Sequence, residues 1–193
     1  MQLKPLPRQA SWRHTGVRRG FEVLFTGPGP RGHRLRGVST AVEDASAWSV
    51  DYSIDLDLAW RTQEVRAGVS TIDGERHTVL RRSADHGWEV DGLARADLTG
   101  CVDVDFESSG VTNTLPLHRL EFTVGEPMRV PAAFVQANDL DVIRLEQEYT
   151  LVAVSPRGMS FHYESRTFDV VCELTFDPAG LILDYPGIAV RDA

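Results

Sequence analysis

Polar and apolar residues alternate with period two along much of the chain, the pattern of half-buried strands, whose successive side chains point to opposite faces. From Val50 to Leu58, Val50, Tyr52, Ile54, Leu56 and Leu58 share one side while Asp51, Ser53, Asp55 and Asp57 share the other. Cys101 to Glu107 repeats the pattern, with Val102, Val104 and Phe106 opposed to Asp103, Asp105 and Glu107. So does Phe168 to Phe176, where Phe168, Val170, Cys172, Leu174 and Phe176 form the apolar side. The expectation is a sheet with one dry and one wet face, with the acidic trio around Asp105 on the wet one.

Further strands are expected at Gly20 to Thr26, His33 to Val42, Arg61 to Ile72, Glu75 to Arg82, Gly87 to Val90, Asn113 to Leu117, Val142 to Ala153, Met159 to Glu164 and Gly180 to Tyr185. Asp73-Gly74, Asp91-Gly92, Ser109-Gly110, Pro156-Arg157-Gly158 and Asp177-Pro178-Ala179-Gly180 supply the turns between them. A helix is expected only near Pro131 to Asn138, where Ala132, Ala133, Phe134 and Ala137 suit a short helical turn begun by Pro131. The chain therefore reads as all-β, a long antiparallel meander forming one domain over residues 1–193. Twist accumulates along such a meander until it curls into a roll or open barrel. Its interior is then either filled by side chains or left as a cavity for an apolar ligand.

A net charge of −8 disfavours nucleic acid, whose binding depends on Lys and Arg displacing counterions. The charge is uneven: up to Arg36 there are eight bases (Lys4, Arg8, Arg13, Arg18, Arg19, Arg31, Arg34, Arg36) and one acid, Glu22. This basic third either meets an anionic lipid surface or pairs with the acidic remainder, and pairing is the expectation. The first residues lack the apolar run of a signal peptide, and no segment reaches the length of a membrane-spanning helix, so a cytoplasmic location is expected. Cys101 and Cys172 read as two thiols without the neighbouring ligands of a zinc site.

Candidate chemistry is sparse. Gly27-Pro28-Gly29-Pro30-Arg31-Gly32 spells G-x-G-x-x-G, yet two prolines remove the N–H donors that a pyrophosphate needs, and a strand follows rather than a helix; it reads as a hairpin loop. Asp103, Asp105 and Glu107 would suit a metal or acid–base site only if withdrawn from water. His118 beside Arg119 has no nucleophile to serve, and His77, His86 and His162 are isolated; no catalytic, metal or cofactor site is expected. Thr112-Asn113-Thr114-Leu115-Pro116 followed by Arg119 is either a polar rim that grips a headgroup or a turn that locks the sheet. Trp12, Trp48, Trp60, Trp88, Tyr149, Tyr163 and Tyr185 carry apolar bodies with polar tips suited to a pocket, but for any single one of them the core is the expectation.

The stretch Gly-Cys-Val-Asp-Val-Asp-Phe-Glu-Ser-Ser-Gly-Val-Thr-Asn-Thr-Leu-Pro-Leu-His-Arg-Leu from Gly100 to Leu120 resembles a signature of the bacterial "putative glycolipid-binding" family. So do Gly-Trp-Glu-Val-Asp-Gly from Gly87 to Gly92 and Leu-Thr-Phe-Asp-Pro-Ala-Gly-Leu-Ile-Leu-Asp-Tyr-Pro-Gly from Leu174 to Gly187. The resemblance implies a curled antiparallel roll similar to bacterial lipoprotein-localisation carriers. The expected function is non-enzymatic binding of a lipid-like or glycolipid-like amphiphile. Its acyl part would lie in the apolar interior and its headgroup at a rim near Asn113 and Arg119. Trp60, Trp88, Asn113, Thr114, Arg119, Tyr149, Tyr163 and Tyr185 are the candidate ligand-binding residues. Each buried methylene would contribute about 0.8 kcal/mol, so tail length would govern affinity. The alternatives are a fully packed module that recruits another protein through its acidic face or a strand edge, and a hydrolase built on Asp103 and Asp105.

Overall fold

The structure, a computed structural model, describes residues 3–83 and 87–192. Strands β1 (Gln9–His14), β2 (Arg18–Pro28), β3 (Gly32–Glu43), β4 (Ser46–Asp57), β5 (Thr62–Thr71), β6 (Gly74–Arg82), β7 (Trp88–Val90) and β8 (Leu93–Ala94) form a continuous antiparallel meander. The chain then leaves this sheet for β9 (Asp103–Phe106), a 3-10 turn (Val111–Asn113) and the short helix α1 (Thr114–Arg119). After β10 (Pro127–Arg129) come β11 (Ala132–Val135) and β12 (Val142–Leu145). Strands β13 (Gln147–Ser155), β14 (Gly158–Ser165), β15 (Val170–Phe176), β16 (Ile182–Tyr185) and β17 (Ala189–Arg191) complete the large sheet. Pairing of β17 with β1 joins the two meanders into fourteen strands with β10 and β8 at the edges, so the sheet curls without closing.

Alternation dictates what the curl encloses. Val50, Ile54 and Leu56 of β4 are fully buried, as are Leu24 of β2, Phe161 of β14 and Phe176 of β15; each such side chain contributes about 1.5–3 kcal/mol. Trp12 adds a buried hydrogen bond, its Nε1 donating to Ile182 O at 2.8 Å. The G-x-G-x-x-G segment is indeed the β2–β3 hairpin, closed by Gly29 N donating to Gly32 O at 3.0 Å.

The concave side is not left empty. A second sheet, ordered β12-β11-β9, lies within the roll together with α1. Val104, Phe106, Leu115 and Val135 join the same hydrophobic cluster as Trp12 and Ile54. Of the two interiors that the alternation allowed, filled or open, the filled one largely prevails: segments of residues 95–146, between β8 and β13, occupy it.

Four local expectations are corrected. All four residues of β9 are buried, including Asp103 and Asp105, because an inner strand has no wet face. Residues 113–117 are helical instead of extended, with Pro116 in the first turn of α1, where its missing N–H is not needed. The segment expected to be helical at Pro131 to Asn138 contains strand β11, which pairs parallel with β9 and antiparallel with β12; Ala132 and Ala133 are fully buried between them. The strand expected from Val142 to Ala153 breaks at Glu146 into β12 and β13, which belong to different sheets.

Candidate ligand pocket

One cavity of about 210 Å³ remains between the inner sheet and the returning meander. Register builds its first wall: Asp105 of β9 is paired with Phe134 of β11, and Leu145 of β12 packs against Phe134. Tyr163 and Ser165 of β14, Val170 of β15 and Tyr185 of β16 form the facing wall. Asp105, Ser109, Asn113, Tyr163 and Ser165 are all buried, so the floor is polar. The outer residues are apolar: Phe168 and Val170 are 45% and 36% exposed, and Phe168 lies 4.9 Å from Phe134, centroid to centroid. Amphipathicity is thus inverted relative to the sequence expectation, with polar groups deep and apolar groups at the lip.

Hydrogen bonds fix that floor. Tyr149 Oη donates to Asn113 Oδ1 at 2.7 Å, and Tyr163 Oη donates to Gln147 Oε1 at 3.0 Å. Burial holds both phenols protonated by raising their pKa. Thr112 Oγ1 donates to Asp105 Oδ1 at 2.5 Å while accepting from Phe106 N at 3.2 Å. Burial raises the Asp105 carboxyl to about 7 against those bonds, and the neighbouring Asp103 adds to the rise. At the edge, Arg18 Nη1 donates to Glu107 O at 2.7 Å and its Nη2 pairs with Glu107 Oε1 at 3.3 Å. One polar side-chain atom of the lining, Ser165 Oγ, has no hydrogen-bond partner among the described residues, whereas Arg18 Nε faces Glu43 Oε2 at 3.4 Å. Buried polar groups in folded proteins are nearly always satisfied, so such an atom marks where a ligand or water belongs.

Behind Ser109 sits a second buried carboxylate. Glu22 accepts from Tyr52 Oη at 2.8 Å, from Gly110 N at 3.1 Å and from Ser109 Oγ. Burial nonetheless raises it to about 7. Tyr52 reaches Glu22 from two strands away because its register partner on β3 is Gly37, over whose bare backbone the phenol ring lies.

The structure disperses the residues singled out from the sequence. Asn113, Tyr163 and Tyr185 line the pocket, with Tyr149 just behind. Thr114 is fully buried and donates to Gly180 O, and Trp88 is buried with its Nε1 on Cys101 O; both tie core segments together. Arg119 does not face the pocket: it grips buried Asp103 with two hydrogen bonds, Nε–Oδ1 3.0 Å and Nη2–Oδ2 2.6 Å. Burial raises Asp103 while Arg119 opposes the rise. Trp60 is stacked between His118 at 3.9 Å and His33 at 4.3 Å in a separate groove of about 860 Å³ beside the N-terminal segment. His118 accordingly serves Trp60 and Ala179 O, and burial lowers its pKa to about 4; His86 lies outside the described residues.

Sequence reasoning missed Arg18, Ser109, Phe134, Ser165 and Phe168 as pocket residues. The signal for Phe168 was present, since it opens an alternating run, but the turn that points it across to Phe134 is tertiary. Among the described residues no group of three His, Cys, Asp or Glu is placed to hold a metal. Cys101 and Cys172 are free thiols, both raised to about 11 by burial.

No curated protein matches the chain significantly. Among solved structures it is similar to a DUF1089 family protein from Pseudomonas aeruginosa, at 25% identity and TM-score 0.69 over 99% of this chain and 96% of that one. It also resembles the β-barrel-like protein of domain of unknown function DUF1849 from Brucella abortus, at 11% identity and TM-score 0.54 over 98% of this chain and 96% of that one, which is a likeness of fold alone. The match that extends the Gly100 to Leu120 signature to nearly the whole chain, residues 9–191, is to the family described as "putative glycolipid-binding", and the chain belongs to that family.

Proposed function

We propose that the protein binds a glycolipid-like amphiphile without transforming it, the hydroxyl-bearing head entering the pocket and the hydrocarbon lying along the Phe134–Phe168 lip. The observation that carries this reading is the buried Ser165 hydroxyl, unpartnered among the described residues, facing the same cavity as Asp105 and Asn113 beneath an aromatic mouth. Size supports it: a cavity of about 150 Å³ accommodates benzene, so 210 Å³ suits one sugar ring or a short alkyl segment rather than a whole acyl chain. Hydroxyls and amides along the polar edge with aromatic rings beside them are the complement of a sugar.

Non-enzymatic binding is favoured over hydrolysis by how the carboxylates are occupied. Asp105 has the raised pKa that an acid catalyst needs, but among the described residues the neighbouring carboxylates are engaged, Glu22 by Tyr52, Ser109 and Gly110. Asp103 is held by Arg119, and Glu107 accepts from Arg18 and, at 2.9 Å, from Ala137 N. Asp105 is then a recognition group for a ligand hydroxyl. The two free thiols fit a reducing compartment, which is why we assign the protein to the cytoplasm.

Thermal unfolding with octyl glucoside, octanoate and free glucose tests the proposal. At about a hundred times Kd, binding stabilises by ~2.7 kcal/mol, a rise in Tm of roughly 5–10 °C for a chain of this size. Octyl glucoside is expected to give that rise at lower concentration than glucose, and Ser165→Ala and Phe168→Ser to reduce it. Octanoate matching octyl glucoside would overturn the head-inward reading. No response to any of the three would favour the packed interaction module.

A further inference from the structure

We infer that the outer face of β1, β2 and β3 is a docking surface for an anionic lipid bilayer. The inference does not rest on the pocket. It starts from a reversal in the pattern of β2. Its inward positions include Arg18, Gly20 and the acid Glu22, whereas its outward positions are Arg19, Phe21, Val23 and Phe25. Phe21 is 40% and Phe25 48% exposed. Register carries the ridge sideways: Val23 is flanked by Ser11 and Val38, Phe21 by Arg13 and Thr40, Phe25 by Gln9 and Arg36, and Arg19 by Val42. Val38 and Val42 are exposed too, so five apolar side chains form a contiguous outer patch where a solvated face would be polar.

The rim of that patch is positive. Arg13, Arg19 and Arg36 are exposed, and none has an ion-pair partner among the described residues. The contrast within the same basic segment is sharp, because Arg18 is paired with Glu43 and Glu107, and Arg34 with Asp55. Up to position 42 the chain has one acid, and Glu22 is turned inward. On the outer face Asp51 of β4 lies opposite Val38, and Asp184 of β16 lies beyond Val190, the β17 neighbour of Arg13. A chain of net charge −8 thus presents one face of aromatic and arginine side chains. Phenyl rings that enter the interface, ringed by cations that meet lipid phosphates, are the physical requirement for peripheral attachment to an anionic membrane. At its Arg19–Val42 end the patch adjoins Arg18, which lines the pocket.

Co-sedimentation with vesicles tests this. The full chain is mixed with phosphatidylcholine vesicles, with or without about one-third phosphatidylglycerol. Partition is expected only with the anionic vesicles and should weaken with salt. Each neutralised arginine should lower partition about five-fold, so Arg13→Ala, Arg19→Ala and Arg36→Ala together lower it on the order of a hundred-fold. Phe21→Ser with Phe25→Ser should lower it with neutral charge balance. All five residues are exposed, so unchanged thermal unfolding certifies the variants as folded, and Val124→Ser, an exposed apolar residue outside the patch and the pocket, serves as a control that leaves partition intact. Equal partition to neutral and anionic vesicles, no partition to either, or retention by the triple variant overturns the inference. So does a dimer of the wild type that the Phe21→Ser, Phe25→Ser variant dissolves while vesicle binding persists, since the patch would then cover a second copy of the chain.

Discussion

Replacing Arg119 by Met separates the structural reading of this residue from the ligand-gripping one. Arg119 and Asp103 make two parallel hydrogen bonds, with the Asp103 side chain 1% and the Arg119 side chain 14% exposed. At an effective dielectric of about 20, unit charges some 4 Å apart attract by about 4 kcal/mol. Removing one partner of a buried pair destabilises by roughly 3–5 kcal/mol, because the other charge is left uncompensated. Arg119→Met should therefore lower the stability read from urea unfolding by about that amount, and Tm by on the order of 10 °C. Asp103→Asn combined with Arg119→Met removes both charges and should recover most of the loss. Binding of octyl glucoside should survive in the double variant. A loss under about 1 kcal/mol in the single variant, or no recovery in the double, would refute the argument that this pair is a buried staple.

Two further outcomes are expected. Burial raises Glu22 from 4.5 to about 7, so the folded state holds a proton that the unfolded state has released, and this contribution is present below about pH 4.5 and lost as pH rises through 7. Relative to the wild type, Glu22→Gln should gain on the order of 3 kcal/mol of stability between about pH 5 and pH 8, measured by urea unfolding at each pH; a parallel pair of curves would contradict the buried-acid assignment. Trp60 has a left-handed φ of 62° and lies between two imidazoles. Trp60→Ala should cost about 2 kcal/mol through the lost stack, and Trp60→Gly about 1 kcal/mol less than Trp60→Ala because glycine relieves the backbone; the reverse order would show the strain argument to be wrong.

The outer sheet was legible because its strands obey period two. Val50, Tyr52, Ile54 and Leu56 are all buried, and only Leu58, past the end of β4, departs by being 80% exposed. The inner sheet was not legible for a physical reason. A strand covered on both faces has no wet side, so the carboxylates of Asp103 and Asp105 are held by Arg119 and Thr112 instead of water, and alternation alone assigns them wrongly. Likewise Ala132 and Ala133 suit a helix by propensity, but small side chains are what a strand needs when layers close on it from both sides, and tertiary context prevails. Asn113, Tyr163 and Tyr185 could be picked out as amphipathic groups near strand ends. Ser165 could not, since nothing in the sequence distinguishes a serine without a partner from a satisfied one.

The missing side chain at Gly37 has a consequence beyond its own strand. Because the phenol of Tyr52 crosses the space a Cβ would fill, positions 22, 37 and 52 on three successive strands share one volume and one hydrogen bond. Any side chain at 37 would evict the ring, strip the carboxylate two strands away of a donor, and loosen the Ser109 turn that the same carboxylate holds. The three sites therefore behave as a single unit of inheritance in the fold: altering one alters the terms on which the other two can exist.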